Sequence, residues 1–181
     1  MNLPNWITVF RMALVPVFIV MVLCNLPLAA LIVFAVASLS DKLDGYLARK
    51  NNQVTSFGKL MDPLADKLLV MSAFLLFCAN GKMHVVAVFI ILAREFLITA
   101  LRTLAMEAGF VMAAGISGKV KTAVQMTSIC ILLFLSWIGE SLIGAEATGI
   151  VCCVLTWLMV AVTVWSGADY LWKQRSLLKF K

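Results

Sequence analysis

The sequence predicts an all-α integral membrane protein, a bundle of six transmembrane helices forming one domain over residues 1–181. Three observations carry that prediction. Of the 181 residues, 63% are apolar and 13% charged, where a soluble domain holds about 45–50% and about 25%. The mean hydropathy is +1.02, and a globule of this size cannot hide so much apolar surface in its own core. The apolar residues also fall into runs of bilayer length, cut by short polar or turn-forming segments. Disorder, coiled coil, collagen and a water-soluble enzyme are excluded by this composition.

The elements follow in order. Met12 to Ser40 carries no charge over 29 residues, too long for one crossing of about 20. Asn25-Leu26-Pro27 divides it, because proline disfavours helix at the residue before it. Spans are expected at about 6–25 and 28–49. The third, about 58–79, stops at Asn80-Gly81, and the fourth covers about 83–107 ahead of the small-residue stretch from Ala108 to Ser117. The fifth, about 118–138, is expected to end before Gly139-Glu140, and the sixth spans about 147–171. Arg11 interrupts the first apolar run and no basic stretch precedes it, so this segment reads as mature structure and not as a signal peptide.

Fifteen Lys and Arg against nine Asp and Glu give a formal charge of +6. Arg49, Lys50, Lys59, Lys119, Lys121 and the tail Lys173, Arg175, Lys179 and Lys181 fall on one side of a six-span chain. The positive-inside rule then puts both termini in the cytosol of a multi-pass inner-membrane protein. The excess charge is expected to serve loop bias and anionic headgroups, with no nucleic acid involved. The five cysteines lie inside apolar runs and form no C-x-x-C pair, so they read as packing residues.

The scarce acids are the informative residues. A carboxylate midway through a membrane helix costs about 2.5–3.5 kcal/mol on insertion scales. Asp41 and Asp44 lie on the second helix, Asp62 and Asp66 on the third. Spacings of three and four residues put each pair on one helix face, about 60° and 40° apart. Counted from Leu28, Asp41 lies about 20 Å along its helix, in the cytosolic third of the bilayer. The third helix enters at the same depth, so the hairpin gathers four carboxylates. Such a group cannot stay ionised without cations, and oxygen-only ligands select hard ions, Mg²⁺ or Mn²⁺, with room for two. A two-metal site at headgroup depth points to phosphoryl chemistry on a lipid. The competing structural reading pairs the aspartates with Lys42 and Lys67, but adjacent helix residues do not face each other.

These residues resemble a known signature. Asp41-Lys-Leu-Asp44-Gly45-Tyr-Leu-Ala48-Arg49, then Gly58, Asp62 and Asp66, matches D-x2-D-G-x2-A-R-x8-G-x3-D-x3-D of the CDP-alcohol phosphotransferase family at every fixed position. Asn2-Leu3-Pro4-Asn5 with Thr8 and Arg11, Ala93-Arg94-Glu95, and Gly118 to Thr122 with Gln125-Met126 look like the bacterial branch using glycerol 3-phosphate. The resemblance implies transfer of a phosphatidyl group from CDP-diacylglycerol to glycerol 3-phosphate, releasing CMP, in a six-helix homodimer. It implies two ions held by Asp41, Asp44, Asp62 and Asp66, with Asp66 also the general base. It places the CDP-diacylglycerol contacts at Gly45, Ala48, Arg49, Thr55 and Gly58.

Arg94, Arg102, Lys119 and Lys121 are expected to form the pocket for the acceptor's phosphate, since a dianion needs cations and arginine offers a matching fork. The plainer reading makes the lysines cytosolic anchors and pairs Arg102 with Glu95. Asp169 has no assigned partner beyond an interface contact. Two other functions stay open: a sister enzyme whose acceptor is inositol phosphate, serine or phosphatidylglycerol, and a cation transporter whose pathway is the aspartates.

Overall fold

Apolar residues with few internal glycines or prolines favour helix wherever the chain is long enough, and lipid leaves the backbone no other partner than itself. The computed structural model describes the backbone of residues 3–50, 56–107, 115–173 and 175. Side chains are described for the same residues except 3–5, 7, 8, 41–50, 56–63, 66 and 107. Six helices occupy these residues, with no strand among them: α1 (Leu3–Leu23), α2 (Pro27–Lys50), α3 (Ser56–Ala79), α4 (Val85–Glu107), α5 (Ile116–Ile143) and α6 (Ala145–Lys173).

The turns are set by local chemistry. Between α1 and α2, Asn25 adopts φ +54°, a left-handed conformation that asparagine tolerates better than most residues. Pro27 then opens α2, where its missing N–H costs nothing. After α3, Gly81 takes φ +70° and the Lys82 amide returns to the Phe77 carbonyl at 2.8 Å.

One expected boundary is wrong. Helix α5 does not stop before Gly139 but continues to Ile143, and the break falls at Gly144, with φ +82°. Gly139 stays helical and is buried against α6: a Cβ there would stand 3.1 Å from Thr148 and 3.2 Å from the Leu135 Cβ. Its glycine serves packing and not chain reversal.

Helix α1 packs on α2 and α3, α2 on α5, and α6 on both α5 and α4. Helix α3 makes narrower contacts with α2, α4 and α5, while α4 and α5 make no backbone-level contact among the described residues. Phe18, Phe34, Phe74, Phe77, Ile91, Ile129 and Met159 fill the centre, with the Phe18 and Phe34 rings 5.7 Å apart. Large apolar side chains also cover the outside, among them Phe89, Met106, Trp137, Trp157, Trp165 and Trp172. That is a perimeter fit for lipid. Helices α5 and α6 are each long and apolar enough to cross a membrane. Three shorter apolar stretches, Val9–Leu23, Pro27–Ser40 and Lys67–Ala79, lie in α1, α2 and α3. Helix α4 differs because Arg94, Glu95 and Arg102 interrupt it.

Candidate active site

The missing contact between α4 and α5 leaves a cavity of about 860 Å³. Its walls come from α2, α3, α4, α5 and the end of α6, through residues that include Ser38, Lys67, Thr99, Gln125 and Tyr170. Arg94, Arg102, Lys119 and Lys121, drawn from two helices, all line it. Long-range packing decides this, since residues 94 and 121 are far apart in sequence.

Each cation is held differently. Arg94 Nη1 donates to Glu95 Oε1 at 3.1 Å, and Nη2 donates to Ser166 Oγ of α6 at 2.9 Å. The stem of Arg94 runs along Gly167, where a Cβ would stand 3.2 Å from Arg94 Cγ. Arg94 Nε is buried and has no hydrogen-bond partner. Lys121 Nζ reaches the same Glu95 Oε1 at 2.5 Å. Arg102 Nε donates to Tyr170 Oη at 3.4 Å, with its guanidinium 5.4 Å from the centre of the Tyr170 ring. Lys119 is exposed on the first turn of α5.

Three readings of the sequence change here. Glu95 pairs with Arg94 and Lys121, while Arg102 turns to Tyr170, so the Arg102–Glu95 pairing does not occur. Those two residues lie about 10 Å apart along the helix axis, and Lys121 is nearer. Asp169 is not left to an outside contact: it accepts hydrogen bonds from Ser117 Oγ at 2.5 Å and Lys173 Nζ at 2.9 Å, tying the start of α5 to the end of α6. Lys67 and Glu95, named from the sequence only as pairing partners or within a motif, both line the cavity. Lys67 donates to Thr99 Oγ1, whose hydroxyl donates to the Glu95 carbonyl at 2.7 Å. Glu95 carried the signal that singled out the aspartates, an acid within an apolar helix. Arg11, on α1, is fully buried.

The aspartates are placed by their helices. Asp41 lies fourteen residues after Pro27, about 21 Å along α2. Its row through Ala30, Phe34 and Ala37, all buried, continues at the same spacing to positions 41 and 44. On α3 the buried Ala65, Leu69 and Ala73 share their stripe with positions 62 and 66. Ser38 and Leu39, one turn before Asp41, and Lys67, next after Asp66, line the cavity. The aspartate-bearing segments therefore border its wall. Gly45, Ala48 and Arg49 occupy the last two turns of α2, and Gly58 the first turn of α3. Thr55 lies outside the described residues.

Residues 1–165 match the family model described as CDP-alcohol phosphatidyltransferase. A Bacillus subtilis protein is 38% identical over 98% of this chain and 97% of its own length. A Rickettsia bellii protein is 37% identical, over 93% of each chain. An Escherichia coli K12 protein is 36% identical over 94% of this chain and 93% of its own. All three bear the name CDP-diacylglycerol–glycerol-3-phosphate 3-phosphatidyltransferase.

Proposed function

The chain belongs to the CDP-alcohol phosphatidyltransferase family, and from that premise we propose that it makes phosphatidylglycerol phosphate and CMP from CDP-diacylglycerol and glycerol 3-phosphate. It is a transferase of phospholipid synthesis. The observation that carries the choice of acceptor is the cavity, which gathers Arg94, Arg102, Lys119 and Lys121 beside the helices of the four aspartates. A phosphorylated alcohol fits so many cations, and a neutral one such as serine does not need them.

The reaction forms one bond and breaks one. The acceptor's hydroxyl oxygen attacks the lipid-side phosphorus of the pyrophosphate, and the bond from that phosphorus to the CMP oxygen breaks. Asp66 takes the hydroxyl proton as general base. Arg94, Lys121, Lys119 and Arg102 hold the acceptor's phosphate and so align its hydroxyl with the phosphorus, converting an encounter into a near-unimolecular step. Gly45, Ala48, Arg49, Thr55 and Gly58 receive the CDP-diacylglycerol.

The family is one that depends on divalent metal, and the donor set fits two hard ions: an oxygen-only set of four carboxylates carried by two neighbouring helices. Asp41, Asp44, Asp62 and Asp66 would hold them, and the ions would supply charge neutralisation at the pyrophosphate. All six helices, of 21 to 29 residues, serve as membrane spans of one domain. Both termini lie in the cytosol, the membrane is the cell's inner one, and two copies assemble as a homodimer.

Purified protein supplied with CDP-diacylglycerol and a panel of acceptors tests this. CMP appears with glycerol 3-phosphate and not with inositol phosphate, serine or phosphatidylglycerol, and EDTA abolishes it until Mg²⁺ or Mn²⁺ is restored. Release that survives chelation removes the two-ion site. Release with another acceptor alone removes glycerol 3-phosphate.

A further inference from the structure

The proposed pocket contains one side chain of the wrong charge. Glu95 lies in the wall of a cavity otherwise rich in cations, its side chain 16% exposed. A carboxylate there repels the dianion the pocket is proposed to hold, and its insertion in an apolar helix is costly. Its contacts explain its presence. A single oxygen, Oε1, takes Arg94 Nη1 from its own helix and Lys121 Nζ from α5. Helices α4 and α5 have no backbone-level contact among the described residues, so this ion pair reaches across the opening that the cavity fills. Both cations are nearly enclosed, Arg94 at 13% and Lys121 at 8% side-chain exposure.

We infer that Glu95 is the positioning residue of the acceptor pocket, holding Arg94 and Lys121 as one anion-binding pair for the acceptor's phosphate. Without it, two cations from separate helices face each other in a poorly hydrated space, and repulsion drives them apart. With it, their donors are fixed before the acceptor arrives, and less ordering remains to be done on binding. Arg94 keeps capacity for the ligand, since a guanidinium has five donors. Ser166 steadies the far side of Arg94 and Gly167 leaves room for its stem, so Glu95 completes a seat built from three helices. Glu95 touches no reacting atom in this account. It rests on the phosphate-acceptor reading above and adds to it how the cations are kept in place.

The test is a split of kinetic constants in the intact membrane protein. E95Q keeps the shape and loses the charge; it raises KM for glycerol 3-phosphate about tenfold or more, while KM for CDP-diacylglycerol changes less than about twofold. E95D keeps the charge on a shorter arm and recovers part of the loss. If E95Q does not fold, E95D alone still gives a raised acceptor KM beside an unchanged one for CDP-diacylglycerol. In a double-mutant cycle, E95Q and K121A together raise the acceptor KM by less than the product of their separate effects, because Glu95 acts in part through that lysine. Equal changes in both KM values with a lowered Tm would make Glu95 merely structural, and a lowered acceptor KM would make it a competitor; either overturns the inference. If the wild type uses inositol phosphate, the acceptor reading fails and Glu95 is measured on that substrate. If it uses only unphosphorylated alcohols, both fall.

Discussion

Two cavities of nearly equal size lie at opposite ends of the helices, about 860 and 850 Å³. The first lies between the amino-terminal half of α5 and the carboxy-terminal half of α4. The second lies between the α3–α4 turn and the α5–α6 turn, with Trp137 and Trp157 in its wall. Volume does not separate them; charge does. Five cations and Glu95 line the first, while the second has Lys82, His84 and Glu140. Lys82 is spent on a hydrogen bond to Ser136 Oγ at 2.5 Å. Of the two aspartate-bearing helices, α2 borders only the first, and α3 meets the second only through Cys78 at its far end. Helices leave space wherever they diverge toward a turn, and a concentration of charges in such space marks a candidate site.

The largest blow to this contrast is to be dealt beside the first cavity. D66N removes the proposed base, and turnover falls by about 10²–10⁴-fold, measured as CMP release; near-normal turnover would remove Asp66 from that role. Next is R94A, which removes the proposed charged hydrogen bonds to the acceptor's phosphate and raises its KM about 10–100-fold. R94K restores the charge without the fork and recovers part of this. A smaller effect is expected from G167A, which presses a methyl group on the stem of Arg94 at 3.2 Å and shifts acceptor KM about two- to fivefold, the cost of a slightly displaced cation.

At the far end the expected effects concern stability alone. G139A forces a Cβ against Thr148 and Leu135 and costs about 1–3 kcal/mol, read as a lowered Tm in detergent with unchanged kinetic constants. The smallest is K82A, which leaves both KM values and turnover within about twofold because its hydrogen bond to Ser136 is local. If K82A cost as much as R94A, the division between the two ends would be lost.

What was readable in the sequence varies residue by residue. The helical nature of every segment was legible, because runs free of charge and broken at Pro27, Asn80-Gly81 and Ala108–Ser117 leave little choice. The end of α5 was not, since Gly139 and Gly144 look alike in sequence and only the approach of Thr148 distinguishes them. The cations were legible as rare charges in apolar helices. Their pairings were not. The rule that neighbouring helix residues do not face each other holds for short side chains, yet Arg94 reaches back to Glu95 because its stem turns along Gly167. Asp169 had no partner in its own neighbourhood except Lys173, and Ser117 comes to it only when α5 and α6 pack.

The sequence by itself determined the class of the chain, the helical segments and the four aspartates in the family's spacing, because composition and period are local quantities that folding cannot alter. Tertiary structure alone decided that α4 and α5 stand apart among the described residues, that Arg94 and Lys121 meet at one carboxylate oxygen, and that the two cavities differ in charge. Those outcomes depend on which helix faces pack, and packing joins residues whose separation along the chain carries no information about their contact.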